Sequence, residues 1–190
     1  MSTTSTTRPL ADAIRDAHAF RDLFPASTYV RWEIAGSVRR KRPEVGDVEH
    51  VIEPAFGNRE VGAGLFTEIQ RTNLLFAHLD GLVSSGAVTK HQYGGAGYRW
   101  GEKYRGVDFC GFLHELFCAT AANWGSTLLI RTGPADYSRM VVAKIKDGGM
   151  YRQQDGQLIH VATGEAVSVP TELRYCQFAV LPYIEPEARR

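Results

Sequence analysis

Leu10, Ile14, Ala17, Phe20 and Phe24 recur at spacings of three and four. That period predicts an amphipathic helix over residues 11–24, with Pro9 suited to its first turn and Pro25 as its stop. The pattern then switches to period two. Val30, Trp32 and Ile34 alternate with Tyr29, Arg31 and Glu33, which predicts a half-buried strand over 29–35, ended by Gly36. A second strand is expected over 47–54, where alternation puts Asp47 and Glu49 on one face. Gly57, Asn58 and Gly62 mark 55–63 as a loop. Leu65, Ile69, Leu74, Leu75, Leu79 and Leu82 suggest one or two helices that cover the sheet.

Residues 98–109 and 112–119 read as two strands joined at Cys110-Gly111, with Asp108 in the first and Glu115 in the second. The run GGAG at 94–97 lacks the lysine and following helix of a phosphate loop and reads as a turn. Beyond Asn123 the pattern predicts a helix through Leu128 and Ile130, a break at Thr132-Gly133-Pro134, and a second helix over 137–146. Asp155-Gly156, between strands at 150–154 and 157–161, is the strongest short hairpin signal in the chain. Thr163-Gly164-Glu165 is a further turn, and Thr171 is placed to cap a last short helix ending near Leu181-Pro182.

With 190 residues, 44% apolar and 23% charged, the chain has room for one core or two small lobes and the composition of a soluble globular protein. It has no tract long enough to cross a bilayer, which argues against a membrane partner. The polar start MSTTSTTRP lacks the apolar run of a signal peptide, so residues 1–8 read as a flexible tail and the expected location is cytoplasmic. Three scattered cysteines argue against a disulfide framework, and six histidines without ligand spacing argue against a zinc site. The 22 basic residues nearly balance the 21 acidic ones, so any contact with nucleic acid must rest on local patches. The densest is Arg39-Arg40-Lys41-Arg42; Arg139, Lys144, Lys146 and Arg152 form a second candidate group.

That basic run lies between a glycine turn and a carboxylate pair. Gly36 and Ser37 at a strand end leave backbone N–H groups open to a phosphate, and Arg39 or Arg40 offers a guanidinium fork to the same group. Nine residues separate Ser37 from Asp47, and Asp47 and Glu49 present oxygen donors of the kind hard cations take, as Mg²⁺ does in two-metal phosphoryl transfer.

The stretch AGSVRRKRPEVGDVEHV resembles the signature of the nucleotidyltransferase superfamily, and in detail the palm of the DNA polymerase X (polymerase beta-like) family. The resemblance implies that Gly36, Ser37 and Arg40 hold an incoming triphosphate. It implies that Gly46 precedes the first metal-binding carboxylate, Asp47, and that Glu49 is the second. The family usually has aspartate at the second place, whereas glutamate occurs across the superfamily. NWGSTLLIRTGPADYSRM resembles the family's thumb segment and puts Thr132 and Gly133 under the nucleotide's sugar and base, with Ile130 and Arg131 where the family has an aromatic pair. TELRYCQFAVLPYIEPEARR resembles its closing segment. The implied fold is α+β: a nucleotidyltransferase palm, a mixed sheet with flanking helices, over 9–119, followed by a small α/β thumb over 120–190. No segment resembles the family's amino-terminal lyase or helix-hairpin-helix domains, so a minimal palm-and-thumb form is expected.

The family's third metal-binding acid stands on a neighbouring strand. Asp108 has the commoner residue type, but Glu115 stands nine residues before Trp124, the family's spacing, and choosing Asp108 requires seven inserted residues. Glu115 is therefore the expected third ligand. The implied function is addition of nucleotides to a 3′-hydroxyl with release of pyrophosphate. It would use Mg²⁺, or Mn²⁺, a nucleoside triphosphate and primed or gapped DNA, and the chain would act as a monomer. The alternatives are a template-independent transferase acting on RNA, protein or a small molecule, and an inactive nucleotide-binding scaffold.

Overall fold

The chain's three-dimensional structure is a computed structural model that describes residues 7–61 and 68–189. From the amino end come β1 (Arg8–Pro9), α1 (Leu10–Arg21), β2 (Tyr29–Ile34), the single turn α2 (Gly36–Arg39), β3 (Glu44–Val45) and β4 (Val48–Pro54). Next are β5 (Phe56–Val61), β6 (Glu68–Asn73), α3 (Leu74–Ser84), β7 (Thr89–Lys90), β8 (Tyr104–Phe109) and β9 (Phe112–Cys118). Then follow α4 (Trp124–Thr132), α5 (Ala135–Asp147), β10 (Tyr151–Gln154), β11 (Gln157–His160), β12 (Ala166–Val167) and α6 (Glu172–Phe178).

Five strands in the order β2-β4-β9-β8-β7 form a mixed sheet, in which β4 and β9 run parallel and the other neighbours antiparallel. Alternation along the two central strands sorts its faces. Ile52 and Leu116 turn to a core closed by Phe20, Phe24, Leu75 and Leu79, which seats α1 and α3. Glu49, Val51 and Glu115 take the other face, where Val51 packs with Ala35, Ala119, Trp124 and Leu128 and so seats α4. A second core of Leu129, Tyr137, Val141, Ile145, Leu158 and Tyr175 joins α4, α5 and α6 to the antiparallel sheet β10-β11-β12. In the β10–β11 turn Asp155 and Gly156 both have positive φ, as a two-residue hairpin of type I′ requires.

Two histidines belong to the first core. Trp32 Nε1–H donates to His50 Nδ1 (3.0 Å), so the His50 proton sits on Nε2 and donates to His114 Nδ1 (3.0 Å). Burial holds His50 well below the usual imidazole range and His114 at about 3, so the stacked pair is neutral. Arg8 pairs β1 with β3 and reaches the buried carboxylate of Asp16, so it is part of the fold and not of a tail.

The pattern misleads between residues 55 and 73. Residues 56–61, a loop by composition, form β5, and Ile69, assigned to a helix, lies in β6 and is 71% exposed. The two strands pair from Phe56 with Asn73 to Val61 with Glu68, and this ladder satisfies the backbone that turn formers Gly57 and Asn58 carry. Leu65 falls outside the described residues. Helix begins at Leu74, where the Asn73 side chain accepts from the Phe76 N–H (3.1 Å). Val30 is 67% exposed and not inward with Trp32, because a bulge between Tyr29 and Arg31 breaks the alternation. The strand expected from residue 98 starts at Tyr104; Gln92–Tyr98 and Trp100–Arg105 are isolated bridges ahead of it. The GGAG run is a turn, with one 3₁₀ turn at Gly94–Ala96. No helix among the described residues is long and apolar enough to cross a membrane.

Candidate active site

The site grows from the end of β2. Ala35 N–H donates to Glu49 O (2.8 Å), and the chain turns at Gly36 with φ +62°. A Cβ at Gly36 would collide with Glu49 Oε2, so the glycine both permits the left-handed turn and leaves room for the carboxylate to lie against it. Gly36→Ala is expected to cost about 1–2 kcal/mol from the backbone conformation alone, read by urea denaturation, and to drive Glu49 off the turn. In α2 the amides of Arg39 and Arg40 return to the carbonyls of Ala35 and Gly36. The amides ahead of them have no intrahelical acceptor. Ser37 Oγ and Arg40 Nε are buried beside this turn without a hydrogen-bond partner among the described residues.

Asp47 follows the exposed bend at Gly46 and stands just before β4. Glu49 and Glu115 are direct partners in the parallel register of β4 and β9, on the same face. Burial, then the charges of Asp47 and Glu115, push the Glu49 carboxyl up to about 8, against the pull of Arg131 and Arg40. Asp47 is raised too, by burial and then by Glu115. The three acids therefore share one field and repel one another. Among the described residues no three His, Cys, Asp or Glu side chains close into a metal-ligating cluster. Asp108 faces the same side from β8, but it pairs in register with Leu113, and His91 Nδ1 lies 2.7 Å from its carboxylate.

A stability slope follows. The folded state keeps a proton on Glu49 up to about pH 8, whereas the unfolded chain releases it near 4.5. Its contribution is therefore full below pH 4.5 and is lost as pH rises through 8. Above pH 7 the core histidines are neutral in both states, so between pH 7 and 8 stability should fall with a slope on the order of 1.4 kcal/mol per pH unit, measured by urea denaturation.

Arg40 joins the two halves of the site: Nη1 donates to Thr132 O, and its guanidinium lies under Gly133, where an added Cβ would meet Nη1 at 3.0 Å. Burial holds Arg40 below its usual range, although Glu49 and Asp47 favour its charge. Gly36 thus lies against Glu49, while Thr132 and Gly133 lie against Arg40. Arg39 is committed elsewhere: it donates to Thr132 Oγ1 (2.8 Å) and forks onto Glu172 (2.8 and 2.7 Å).

The sequence reading passes over two tyrosines. Tyr93 and Tyr104 both donate to Glu115 Oε1, Tyr93 at 2.9 Å, and their hydroxyls touch each other. Tyr104 shares a sheet face with Gly106 and Asp108, a position alternation reveals; Tyr93 lies before the glycine-rich turn and carries no such signal. A cleft of about 950 Å³ opens away from the acids, between Arg71 of β6, Lys103, Arg105 and Asn123.

No family model matches this sequence, and no curated protein matches it. Among solved structures it resembles that of Leishmania infantum polymerase beta in a ternary P/T complex, with a TM-score of 0.70 and 15% identity, over 97% of this chain and 77% of that one. The mixed sheet, its flanking helices and this match together show that the chain has a polymerase beta-like α+β fold.

Proposed function

We propose that the chain is a nucleotidyltransferase of the polymerase X kind that adds nucleotides to a 3′-hydroxyl end, primed or gapped DNA being the acceptor. The carrying observation is that Glu49 and Glu115 are register partners on one sheet face and share an electrostatic field with Asp47, beside an under-solvated Arg40 and Ser37 in the Gly36 turn. Buried acids that repel one another suit a cation, and a cationic turn with free donors suits a phosphate.

In this reading Asp47, Glu49 and Glu115 hold Mg²⁺ or Mn²⁺. Two such ions supply stabilisation of the attacking and leaving oxygens in phosphoryl transfer. Arg40 and Ser37 bind the triphosphate, and the amides of the turn that lack an intrahelical acceptor share its charge. Thr132 and Gly133, tied to Arg40, support the sugar and base. Exposed Arg139, Lys144, Lys146 and Arg152 offer contacts to an acceptor backbone, although Arg139 also pairs with Asp136. The likeness to a polymerase beta solved as a ternary P/T complex supports this choice of acceptor.

The test supplies labelled deoxynucleotides and ribonucleotides to primed, gapped and single-stranded acceptors with Mg²⁺ or Mn²⁺. Extension with release of pyrophosphate is expected. Labelled product on RNA or protein alone would keep the chemistry and change the acceptor. Tight nucleotide binding with no product on any acceptor would overturn the enzyme reading. The same ions should flatten the stability slope between pH 7 and 8, because they favour the ionised carboxylates.

A further inference from the structure

Glu115 is one methylene longer than the aspartate common at its place, and each added rotatable bond has to be ordered before the carboxylate can act. Something must hold it. Its Oε1 accepts from the hydroxyls of Tyr93 (2.9 Å) and Tyr104, which also touch each other. Both donors end on one oxygen, and Oε2 has no hydrogen-bond partner among the described residues.

The rings are themselves fixed. Gly106 lies directly across from Glu115 on β8, and a Cβ there would collide with the Tyr93 hydroxyl, so the missing side chain is what admits Tyr93 to the carboxylate. The His91 ring packs edge-on against Tyr93 at 4.6 Å and is held by Asp108, while Arg99 covers the Tyr93 ring at 4.3 Å. Tyr104 packs against Phe117 at 4.8 Å, and the Arg131 guanidinium stacks on Phe117 at 3.8 Å. Asp108, the acid that competes with Glu115 in the sequence, therefore supports the turn that carries one of the clamps.

We propose that Tyr93 and Tyr104 are positioning residues that pin Oε1 of Glu115 and so present its other oxygen to the bound cation and the acceptor hydroxyl. The inference rests on the nucleotidyltransferase reading. Without the two hydroxyls the longer side chain samples several rotamers, and the productive one is populated only in part.

The experiment compares wild type, Tyr93→Phe, Tyr104→Phe and the double variant, each with and without Glu115→Asp. It measures single-turnover incorporation and Mn²⁺ affinity by electron paramagnetic resonance. Each phenylalanine keeps its ring, so melting temperatures should stay near wild type. Single variants are expected to lose about tenfold in rate, and the double variant up to about 100-fold with weaker Mn²⁺ binding. Glu115→Asp should cost less in the double variant than in wild type, because the tyrosines act through Glu115; additive losses, or wild-type rates and affinities, would overturn the clamp. If wild type extends no acceptor, the nucleotidyltransferase reading fails by itself. The clamp is then decided by whether Mn²⁺ affinity falls in the double variant, unchanged affinity sinking it.

Discussion

Asp47→Asn is expected to lower nucleotide incorporation by about a thousandfold or more, roughly 4 kcal/mol in barrier, while leaving the metal-free protein as stable as wild type or more so. The two halves of this result come from the same charges. Burial and Glu115 already hold Asp47 above the usual carboxylate range, so its ionised form is strained in the absence of a cation. An isosteric amide removes that strain and part of the pressure on Glu49. It also removes an anionic oxygen that a cation requires. A residue kept for stability would give the opposite pattern, with melting temperature and activity falling together. Single-turnover incorporation and thermal melts in chelator measure both, and a variant within tenfold of wild type would remove Asp47 from the chemistry.

What could be read from the sequence is what is local or periodic. Gly36, Asp47 and Glu49 fall within fourteen residues at one sheet end, so alternation and a turn suffice to bring them together. Glu115 on β9 is the register partner of Glu49 on β4, and no local rule gives that pairing. The failures have physical causes. The β5–β6 ribbon has turn formers in one strand and an exposed Ile69 in the other, so neither shows an inward stripe. The bulge at Val30 inverts one side chain without changing composition. Tyr93 reaches Glu115 through an irregular turn that only the pairing of β8 with β9 brings near.

Arg39 shows the same limit, because its partner is 133 residues away. The basic run offers two adjacent arginines as phosphate ligands, but packing divides their roles: Arg40 faces the acids, and Arg39 binds the closing segment. Lys41 pairs with Glu187 at 2.6 Å, and Arg42 donates to Arg189 O at 2.9 Å, so Arg39, Lys41 and Arg42 fasten the turn after β2 to residues 172–189.

The centre of that fastening is Glu172, and its loss is the largest stability change the structure implies. Glu172 is 7% exposed and takes the fork from Arg39 and a bond from Arg189 Nη2 (3.0 Å). Arg189 is fully buried, and its Nη1 has no hydrogen-bond partner among the described residues. Glu172→Ala therefore leaves a buried guanidinium without its counter-charge, and breaking such a pair costs about 3–5 kcal/mol. For a chain of this size that is a fall of roughly 10 °C in melting temperature. Glu172→Gln keeps an acceptor in place and should lose less, with the difference measuring charge and not packing. Arg39→Lys cannot make the two-pronged contact and should weaken the same link while Arg189 keeps its carboxylate. The clearest measure is urea denaturation of all three, with nucleotide affinity followed in parallel, since a loosened Arg39 also releases Thr132 beside Arg40. A Glu172→Ala protein destabilised by less than about 1 kcal/mol would mean that water, and not the fold, satisfies Arg189.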